Sequence, residues 1–319
     1  MSSIPRTDFP HFELAPLTLH IGAEVSGLDL ATPLTADVVA DVHAALVAWK
    51  VLFFRDQSLD HAAHVAFANQ LGTPTIGHAV FGHDSEYPEI YSVAKHRTAN
   101  SIRPQKTLRP WSDWHTDITA AINPPMASIL RGVEIPPFGG DTYWTNLAAA
   151  YRGLSEPLRA FLDTLDGVHR FEMPATAQGG KDYLKEVEKR YMESIHPVVT
   201  VHPSSQERLL FVSPDFLTEI VGLAPRESQA LLELLWEHVV RPEYTVRYKW
   251  RAGDVAMWDN RSTAHLAPSD VFDTDFDRQL YRVTLVGETP VGVDGRLSRS
   301  VSGQPILLAE QELKLRAAG

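Results

Sequence analysis

The stretch Trp114-His115-Thr116-Asp117 sets the expectation for the rest of the chain. In an extended segment, residues i and i+2 point to the same side, with their Cα atoms roughly 6.6 Å apart. His115 and Asp117 can therefore bind one metal ion from the end of a single strand. A second histidine from elsewhere would complete a face of two histidines and one carboxylate. Such a face leaves coordination positions open and is typical of non-haem Fe(II) oxygenases.

The His-x-Asp spacing is weak evidence on its own. The chain has 14 histidines and 40 acidic residues among 319, so chance alone gives about two His-x-Asp or His-x-Glu pairs. Two occur, His115 with Asp117 and His11 with Glu13. The interpretation as a metal site therefore depends on other residues.

Composition and charge indicate a soluble globular protein. Hydrophobic residues make up 44% and charged residues 22% of the chain, both ordinary values. The net charge of −11 argues against nucleic acid or an anionic membrane as a partner. The absence of cysteine excludes disulfides, thiolate ligands and a cysteine nucleophile. Without a signal sequence or an apolar run long enough to span a membrane, a cytoplasmic location is expected.

Apolar periodicity predicts a strand-dominated α+β core with helices outside it, in one domain over residues 1–319. The clearest helices are expected after a Thr35 N-cap, over 60–71 and over 226–240. Strands are predicted at 51–54, 127–133, 140–144, 197–201, 209–212, 245–250, 255–258 and 280–286.

Two ranges are predicted lid or insertion segments: residues 77–113, which have little apolar periodicity, and residues 172–196, which hold Gly179-Gly180 and then a polar helical run from Asp182 to Glu193. The first holds a basic cluster that stands out in an acidic chain: Lys95, His96, Arg97, Arg103, Lys106 and Arg109. Two interpretations are open, a solvated loop or a mobile cover over an anionic ligand.

The candidate second histidine is His265. It comes four residues after Trp258-Asp259-Asn260-Arg261, which ends a predicted strand, so a loop could present it to a site. A single histidine is more often a surface residue or a satisfied core residue, and that alternative stays open on spacing alone.

A further polar face follows along the chain. The alternating stretch from Arg278 to Leu285 places Arg278 and Arg282 on one face of a strand, about 13 Å apart. Buried guanidinium groups require anions, and their planar forks suit carboxylates and other oxyanions. For Arg278, surface salt bridges to Asp273, Asp275 and Asp277 are the alternative.

Together these motifs resemble the taurine dioxygenase family of Fe(II)- and 2-oxoglutarate-dependent dioxygenases, which includes alkylsulfatases and phenoxyalkanoate-degrading enzymes. The resemblance covers about residues 13–300. Its motifs are Trp114-His115-Thr116-Asp117, Gly139-Gly140-Asp141-Thr142, Trp258-Asp259-Asn260-Arg261 through His265, and Arg278 through Arg282-Val283-Thr284.

The resemblance implies a distorted double-stranded β-helix, or jelly roll, that uses Fe(II), 2-oxoglutarate and O2. It assigns the iron ligands to His115, Asp117 and His265, the distal carboxylate of 2-oxoglutarate to Thr142 and Arg278, and the substrate anion to His78 and Arg282.

Three departures from the family pattern concern the substrate. His265 and Arg278 are 13 residues apart, two more than in the taurine enzymes. Phe81 stands where the family has a tyrosine, and Trp111 where it has an asparagine. A bulkier, more apolar pocket than that for taurine is therefore expected.

The expected reaction is hydroxylation of an anionic small molecule. An alkyl sulfate ester or sulfonate would give an aldehyde plus sulfate or sulfite, with succinate and CO2. Taurine or an aryloxyalkanoate is the alternative substrate. A zinc hydrolase and a metal-free jelly-roll binding protein are the alternatives from other classes. The oligomeric state is open between a homodimer and a homotetramer.

Overall fold

The computed structural model describes residues 4–96, 100, 109–171 and 180–318. Over these ranges strands predominate and helices pack against the sheets, so the predicted strand-rich α+β fold is confirmed. A search of the same residues finds no helix with the length and apolar character needed to cross a membrane.

The largest sheet has seven strands. In spatial order they are β1 (Glu13–Pro16), β2 (Ala23–Ser26), β3 (Val51–Phe54), β13 (Val255–Asp259), β5 (Ala127–Glu134), β15 (Gln279–Leu285) and β4 (Ile90–Ala94). Neighbours are antiparallel except β2 and β3, which are joined through α1 (Ala36–Trp49). A parallel pair requires such a crossover connection.

Both faces of this sheet are buried, which explains the unbroken apolar run of β3. Leu52 and Phe54 pack on the face covered by α1 and α2 (His61–Leu71). Val51 and Phe53 point to the opposite face, where they join a second apolar cluster. Alternation along each strand therefore assigns side chains to one face or the other.

A three-stranded sheet packs on that second face. Its strands are β12 (Thr245–Tyr248), β6 (Thr142–Asn146) and β14 (Thr263–Leu266), in that order. Tyr248 stacks on Phe53 with ring centroids 3.9 Å apart, and Trp144 lies 5.6 Å from Trp258. This packing holds β6 and β14 against the large sheet.

The remaining elements form a second unit of packing. A four-stranded sheet has the order β11 (Leu217–Ile220), β7 (Asp166–Arg170), β8 (Glu193–Pro197) and β16 (Arg299–Ser302), and a two-stranded sheet pairs β9 (Val199–Val201) with β10 (Arg208–Leu210). The other helices are α3 (Leu147–Arg152), α4 (Glu156–Leu162), α5 (Lys181–Glu188), α6 (Pro225–Val239) and α7 (Ala309–Ala318). Leu232, Leu235 and Trp236 carry the buried face of α6.

The predicted helix starts are confirmed by their capping bonds. The Thr35 hydroxyl accepts the N–H of Val38 at 3.5 Å, and the Asp60 carboxylate accepts that of Ala63 at 2.8 Å. Each bond satisfies a backbone donor that has no partner within the helix.

Both predicted lid ranges contain regular secondary structure, and α5 lies where the helical run from Asp182 was predicted. Residues 77–113 include β4, an edge strand of the large sheet, and residues 172–196 include α5 and the start of β8. The sequence of β4 is too short to show a period, and its pairing with β15 determines its conformation. Arg97, Arg103 and Lys106 lie outside the described residues.

Two residues of the basic cluster, Lys95 and His96, contact the loop before β15. The Lys95 ammonium donates to the carbonyl oxygens of Thr274 and Phe276, and His96 Nε2 lies 3.5 Å from Asp277 Oδ1. Lys95 and His96 therefore contact the loop that leads to Arg278.

Candidate active site

Two segments far apart in the chain meet through their backbones. The N–H of His115 donates to the carbonyl oxygen of His265 at 2.9 Å, and the N–H of His265 donates back at 2.7 Å. The two imidazole centroids are 4.2 Å apart. This pairing places His265, on β14, beside the Trp114–Asp117 stretch.

Asp117 completes a group of three side chains. Its Oδ1 atom lies 3.9 Å from His115 Nε2 and 4.0 Å from His265 Nε2, and one ligand atom from each residue lies within 4.8 Å of the others. Two imidazole nitrogens and a carboxylate oxygen are the donors of a 2-His-1-carboxylate face. The donor set and its spacing therefore fit a metal ion.

The backbone fixes the orientation of the His115 ring. His115 Nδ1 lies 3.0 Å from the carbonyl oxygen of Asp113. A carbonyl oxygen only accepts, so in the neutral ring the proton is on Nδ1 and the lone pair on Nε2. This is the tautomer that a metal ligand requires.

The Asp117 carboxylate is buried and ionised. Its Oδ1 accepts from Arg282 Nη1 at 2.7 Å, and its Oδ2 accepts from the Ser128 hydroxyl at 2.8 Å. Burial alone would raise the pKa of Asp117, but the Arg282 guanidinium and the two imidazoles hold that pKa well below its usual range. The carboxylate is thus in the charged form that binds cations.

The Arg282 guanidinium has an unused donor. Arg282 is 8% exposed, and its Nε has no hydrogen-bond partner among the described residues. Its central carbon lies 5.5 Å from the centroid of the Tyr91 ring, because Arg282 on β15 pairs directly with Tyr91 on β4. A buried donor without a partner is rare in folded proteins and points to a missing ligand.

His78 also lies close to Tyr91. Its Nδ1 accepts the N–H groups of Val80 and Phe81, both at 3.0 Å, so in the neutral ring Nε2 carries the proton and is a donor. The centroids of the His78 and Tyr91 rings are 5.0 Å apart. The structure therefore places the two predicted anion-binding residues around one tyrosine.

An apolar wall continues from His78. The Phe81 ring lies 4.6 Å from His78 and 5.9 Å from Phe171, centroid to centroid. It packs in a cluster that contains Ile118, the residue after Asp117, and side chains of α5. Apolar side chains thus connect the neighbour of His78 with the residue that follows Asp117.

Trp111 packs in a different direction. Its ring centroid lies 6.2 Å from that of Trp236 on α6, in the cluster that also contains Trp114. None of its described contacts joins Trp111 to His78 or Arg282. Its role at the substrate therefore stays a prediction.

One of the two candidate 2-oxoglutarate residues, Arg278, contacts the chain two residues before the other, Thr142. Arg278 is 7% exposed, and its Nε donates to the Gly140 carbonyl oxygen at 3.1 Å; this burial disfavours the surface salt-bridge alternative. Thr142 lies two residues later, and its hydroxyl oxygen accepts Trp250 Nε1 at 2.9 Å. The hydroxyl proton of Thr142 is therefore available to an acceptor such as a carboxylate.

We expect Gly140→Ala to raise the KM for 2-oxoglutarate. A Cβ on Gly140 would lie 2.9 Å from both Cδ and Nε of Arg278, so the guanidinium must move and lose its bond to the backbone. Loss of one charge-assisted hydrogen bond of about 1.5 kcal/mol corresponds to about a tenfold change. Steady-state kinetics with varied 2-oxoglutarate measure it.

Gly139→Ala is the matched control. Gly139 and Gly140 have φ of 77° and 68°, so both substitutions strain the backbone. A Cβ on Gly139 would meet only Asp270, at 3.5 Å or more. Equal KM values for the two variants would contradict the role assigned to Arg278.

Sequence reasoning missed Tyr91, Ser128 and Asn260. Tyr91 belongs to the edge strand that showed no period. Ser128 is the second residue of β5, and Asn260 lies in the Trp258–Arg261 motif, where no role was assigned to it. Only the Asn260 motif offered a signal in the sequence, because the other two depend on strand register.

Comparison with known proteins gives one consistent result. The chain is 42% identical over 312 residues to an alpha-ketoglutarate-dependent sulfate ester dioxygenase of Pseudomonas putida, covering 94% of this chain and 99% of that protein. It is 36% identical over 303 residues to an alkylsulfatase of Acinetobacter baylyi, covering 92% and 91%. The crystal structure of a taurine dioxygenase from Burkholderia xenovorans superposes with a TM-score of 0.83 at 57% identity, covering 93% and 97%.

A family match covers most of the chain as well. Residues 13–284 match the family described as taurine catabolism dioxygenase TauD, TfdA. All four sequence motifs lie within the matched residues. The chain therefore belongs to the TauD, TfdA family of dioxygenases.

Proposed function

We propose that the chain is an Fe(II)- and 2-oxoglutarate-dependent dioxygenase that acts on alkyl sulfate esters or sulfonates. The observation that carries this proposal is the His115–Asp117–His265 group with Arg282 directly beside its carboxylate. A metal site and an anion-binding donor then share one buried face. The sulfate ester dioxygenase and alkylsulfatase names of two relatives support the substrate class.

In this proposal His115, Asp117 and His265 hold Fe(II), while Arg278 and Thr142 hold the distal carboxylate of 2-oxoglutarate. When bound, iron and 2-oxoglutarate supply, with O2, the oxidation of a C–H bond, and one oxygen atom enters succinate. Arg282 and His78 hold the sulfate group of the substrate. This orients the carbon that bears the sulfate toward the metal site. The protein's own contribution is positioning and exclusion of water.

The products follow from the position of hydroxylation. A hydroxyl group on the carbon that bears a sulfate ester gives an unstable adduct. Its C–O bond to sulfate breaks as the hydroxyl proton leaves, which releases an aldehyde and sulfate. A sulfonate reacts at its C–S bond in the same way and releases sulfite.

The apolar wall distinguishes a long substrate from a short one. Phe81, whose ring stacks on His78, and Ile118 belong to one apolar cluster. Each methylene that such a wall removes from water contributes about 0.8 kcal/mol. An aminoethyl tail gains little there, whereas a medium-length alkyl chain gains over several carbons.

We expect a medium-chain alkyl sulfate to have a higher kcat/KM than taurine. The test is a competition assay with oxygen and 2-oxoglutarate, followed by both succinate and the organic product. An aryloxyalkanoate belongs in the same panel, because a guanidinium also binds carboxylates. A higher kcat/KM for taurine would refute the pocket interpretation and leave the dioxygenase assignment standing.

Two alternatives from other classes explain less. A zinc hydrolase could use the same three ligands, but it gives no role to Arg278 with Thr142. A metal-free binding protein gives no role to the triad. Succinate formation that requires Fe(II) separates the proposal from both.

The arrangement of the sheets as a jelly roll is also part of this proposal. The seven-stranded and three-stranded sheets enclose one apolar cluster, which supports a distorted double-stranded β-helix in a single domain. The lid role of residues 77–113 and 172–196, the cytoplasmic location and the assembly as a homodimer or homotetramer stay predictions.

A further inference from the structure

We propose that Ser128, oriented by Asn260 and Trp258, is a positioning residue that restricts Asp117 to one metal-binding oxygen. This inference rests on the proposed function, because it assumes a metal ion at the triad. It assigns a role to three buried side chains on β5 and β13 and in the turn that follows β13.

The three side chains form a continuous relay to the carboxylate. Trp258 Nε1 donates to Asn260 Oδ1 at 2.8 Å, and Asn260 Nδ2 donates to Ser128 Oγ at 2.9 Å. Ser128 Oγ then donates to Asp117 Oδ2 at 2.8 Å. Ser128 and Asn260 are 0% exposed and Trp258 is 1% exposed, so no solvent competes for these bonds.

Chemistry fixes the direction of every bond in the relay. An indole N–H only donates, so the atom of Asn260 that faces Trp258 must be its oxygen. The amide nitrogen then faces Ser128 and donates to it. The Ser128 proton is left for Asp117, and an ionised carboxylate only accepts. Each donor therefore has a single acceptor, which holds the serine hydroxyl in one orientation.

The relay and the two histidines select different carboxylate oxygens. Oδ1 faces Nε2 of His115 and His265 at 3.9 and 4.0 Å, whereas Oδ2 is held by Ser128. Arg282 also contacts Oδ1, but a carboxylate oxygen has lone pairs for both a cation and a hydrogen bond. Asp117 is therefore arranged to bind a metal through Oδ1 alone.

One-oxygen binding matters for the number of open positions. Three ligand atoms leave three positions on a six-coordinate ion, two for 2-oxoglutarate and one for O2. If Oδ2 also bound the ion, only two would remain. Ser128 therefore maintains the affinity for 2-oxoglutarate and not the affinity for the metal ion itself.

The test compares metal and cosubstrate binding in the full chain, with Mn(II) as a redox-stable probe. Isothermal calorimetry measures Mn(II) affinity alone, and then 2-oxoglutarate affinity for the Mn(II)-loaded protein. For Ser128→Ala we expect Mn(II) affinity within about threefold of the wild type and 2-oxoglutarate affinity lower by about tenfold or more. A purely structural role would instead lower Mn(II) affinity and thermal stability together.

Three further variants complete the design. Ser128→Thr keeps the hydroxyl and should restore 2-oxoglutarate affinity. Asn260→Asp replaces the donor to Ser128 with an acceptor, so the Ser128 hydroxyl can turn away from Asp117. We therefore expect the same loss of 2-oxoglutarate affinity as in Ser128→Ala. Ser194→Ala, which removes a buried hydroxyl without a described partner, is the matched control and should change nothing.

The outcomes separate the two proposals. If the wild type binds Mn(II) and 2-oxoglutarate while Ser128→Ala and Asn260→Asp match it, the relay inference is wrong and the proposed function stands. If the wild type binds neither, the proposed function fails and this inference fails with it.

Discussion

Replacing His265 with alanine is expected to abolish turnover while leaving the fold intact. The triad has three protein ligands, and its described neighbours offer no fourth imidazole or carboxylate to take the place of His265. Loss of several kcal/mol of metal-dependent stabilisation of the transition state corresponds to a decrease in kcat of about a thousandfold or more. The measurements are turnover, Mn(II) affinity and the melting temperature.

His238→Ala is the control for removing a histidine. His238 Nε2 lies 2.8 Å from the carbonyl oxygen of Ala150 on α3, in a different part of the fold from the triad. We expect this variant to lose some stability and to keep its activity. Near-normal metal affinity and turnover of His265→Ala would show that another residue is the third ligand.

Asp117→Ala should abolish turnover as well, but with a larger loss of stability. Arg282 would keep its buried charge and lose the carboxylate that accepts from Nη1 at 2.7 Å. Removing one member of a buried ion pair costs about 3–5 kcal/mol. A melting temperature equal to that of His265→Ala would contradict this account of Asp117.

Local sequence patterns predicted the residues whose role depends on their immediate neighbours. The alternation from Arg278 to Leu285 predicted a strand, and β15 covers Gln279–Leu285, directly after Arg278. Thr35 and Asp60 marked helix starts because N-capping is a local hydrogen bond. The spacing within the Trp114–Asp117 stretch predicted two ligands on one side of a strand, but its interpretation as a metal site depended on the later motifs.

The sequence could not predict contacts that depend on strand register. Tyr91 lies under Arg282 because β4 pairs with β15, and Ser128 reaches Asp117 because β5 lies between β13 and β15. A shift of one residue would turn either side chain to the opposite face. Nothing within β4 or β5 alone determines that register, so both residues were missed.

The contact between Arg282 and Asp117 is another long-range result with a functional meaning. Charge alternation suggested anions for both arginines, but it did not indicate that one anion is the triad carboxylate itself. Arg282 therefore contacts the metal site directly, while Arg278 lies against Gly140. This difference predicts that the two arginines have separable functions.

Arg278→Ala is expected to raise the KM for 2-oxoglutarate by about 10- to 150-fold, because a charge-assisted contact contributes about 1.5–3 kcal/mol. Arg282→Ala should instead impair the prime substrate. It should leave 2-oxoglutarate decay measurable but uncoupled, since Arg278 and Thr142 remain. Separate titrations of 2-oxoglutarate and of the prime substrate, with succinate and the organic product quantified in each, measure these two effects.

Arg241→Ala controls for the loss of a positive charge. Arg241 donates to Glu243 at 2.6 Å, and the two side chains are 53% and 56% exposed. An exposed ion pair contributes little, so both KM values should stay close to those of the wild type. If Arg278→Ala impaired the prime substrate and Arg282→Ala raised the KM for 2-oxoglutarate, the roles of the two arginines would be exchanged. The longer loop after His265 would then have shifted their match to the family pattern. Arg282 would then bind the cosubstrate, and its contact with Asp117 would be the feature to reinterpret.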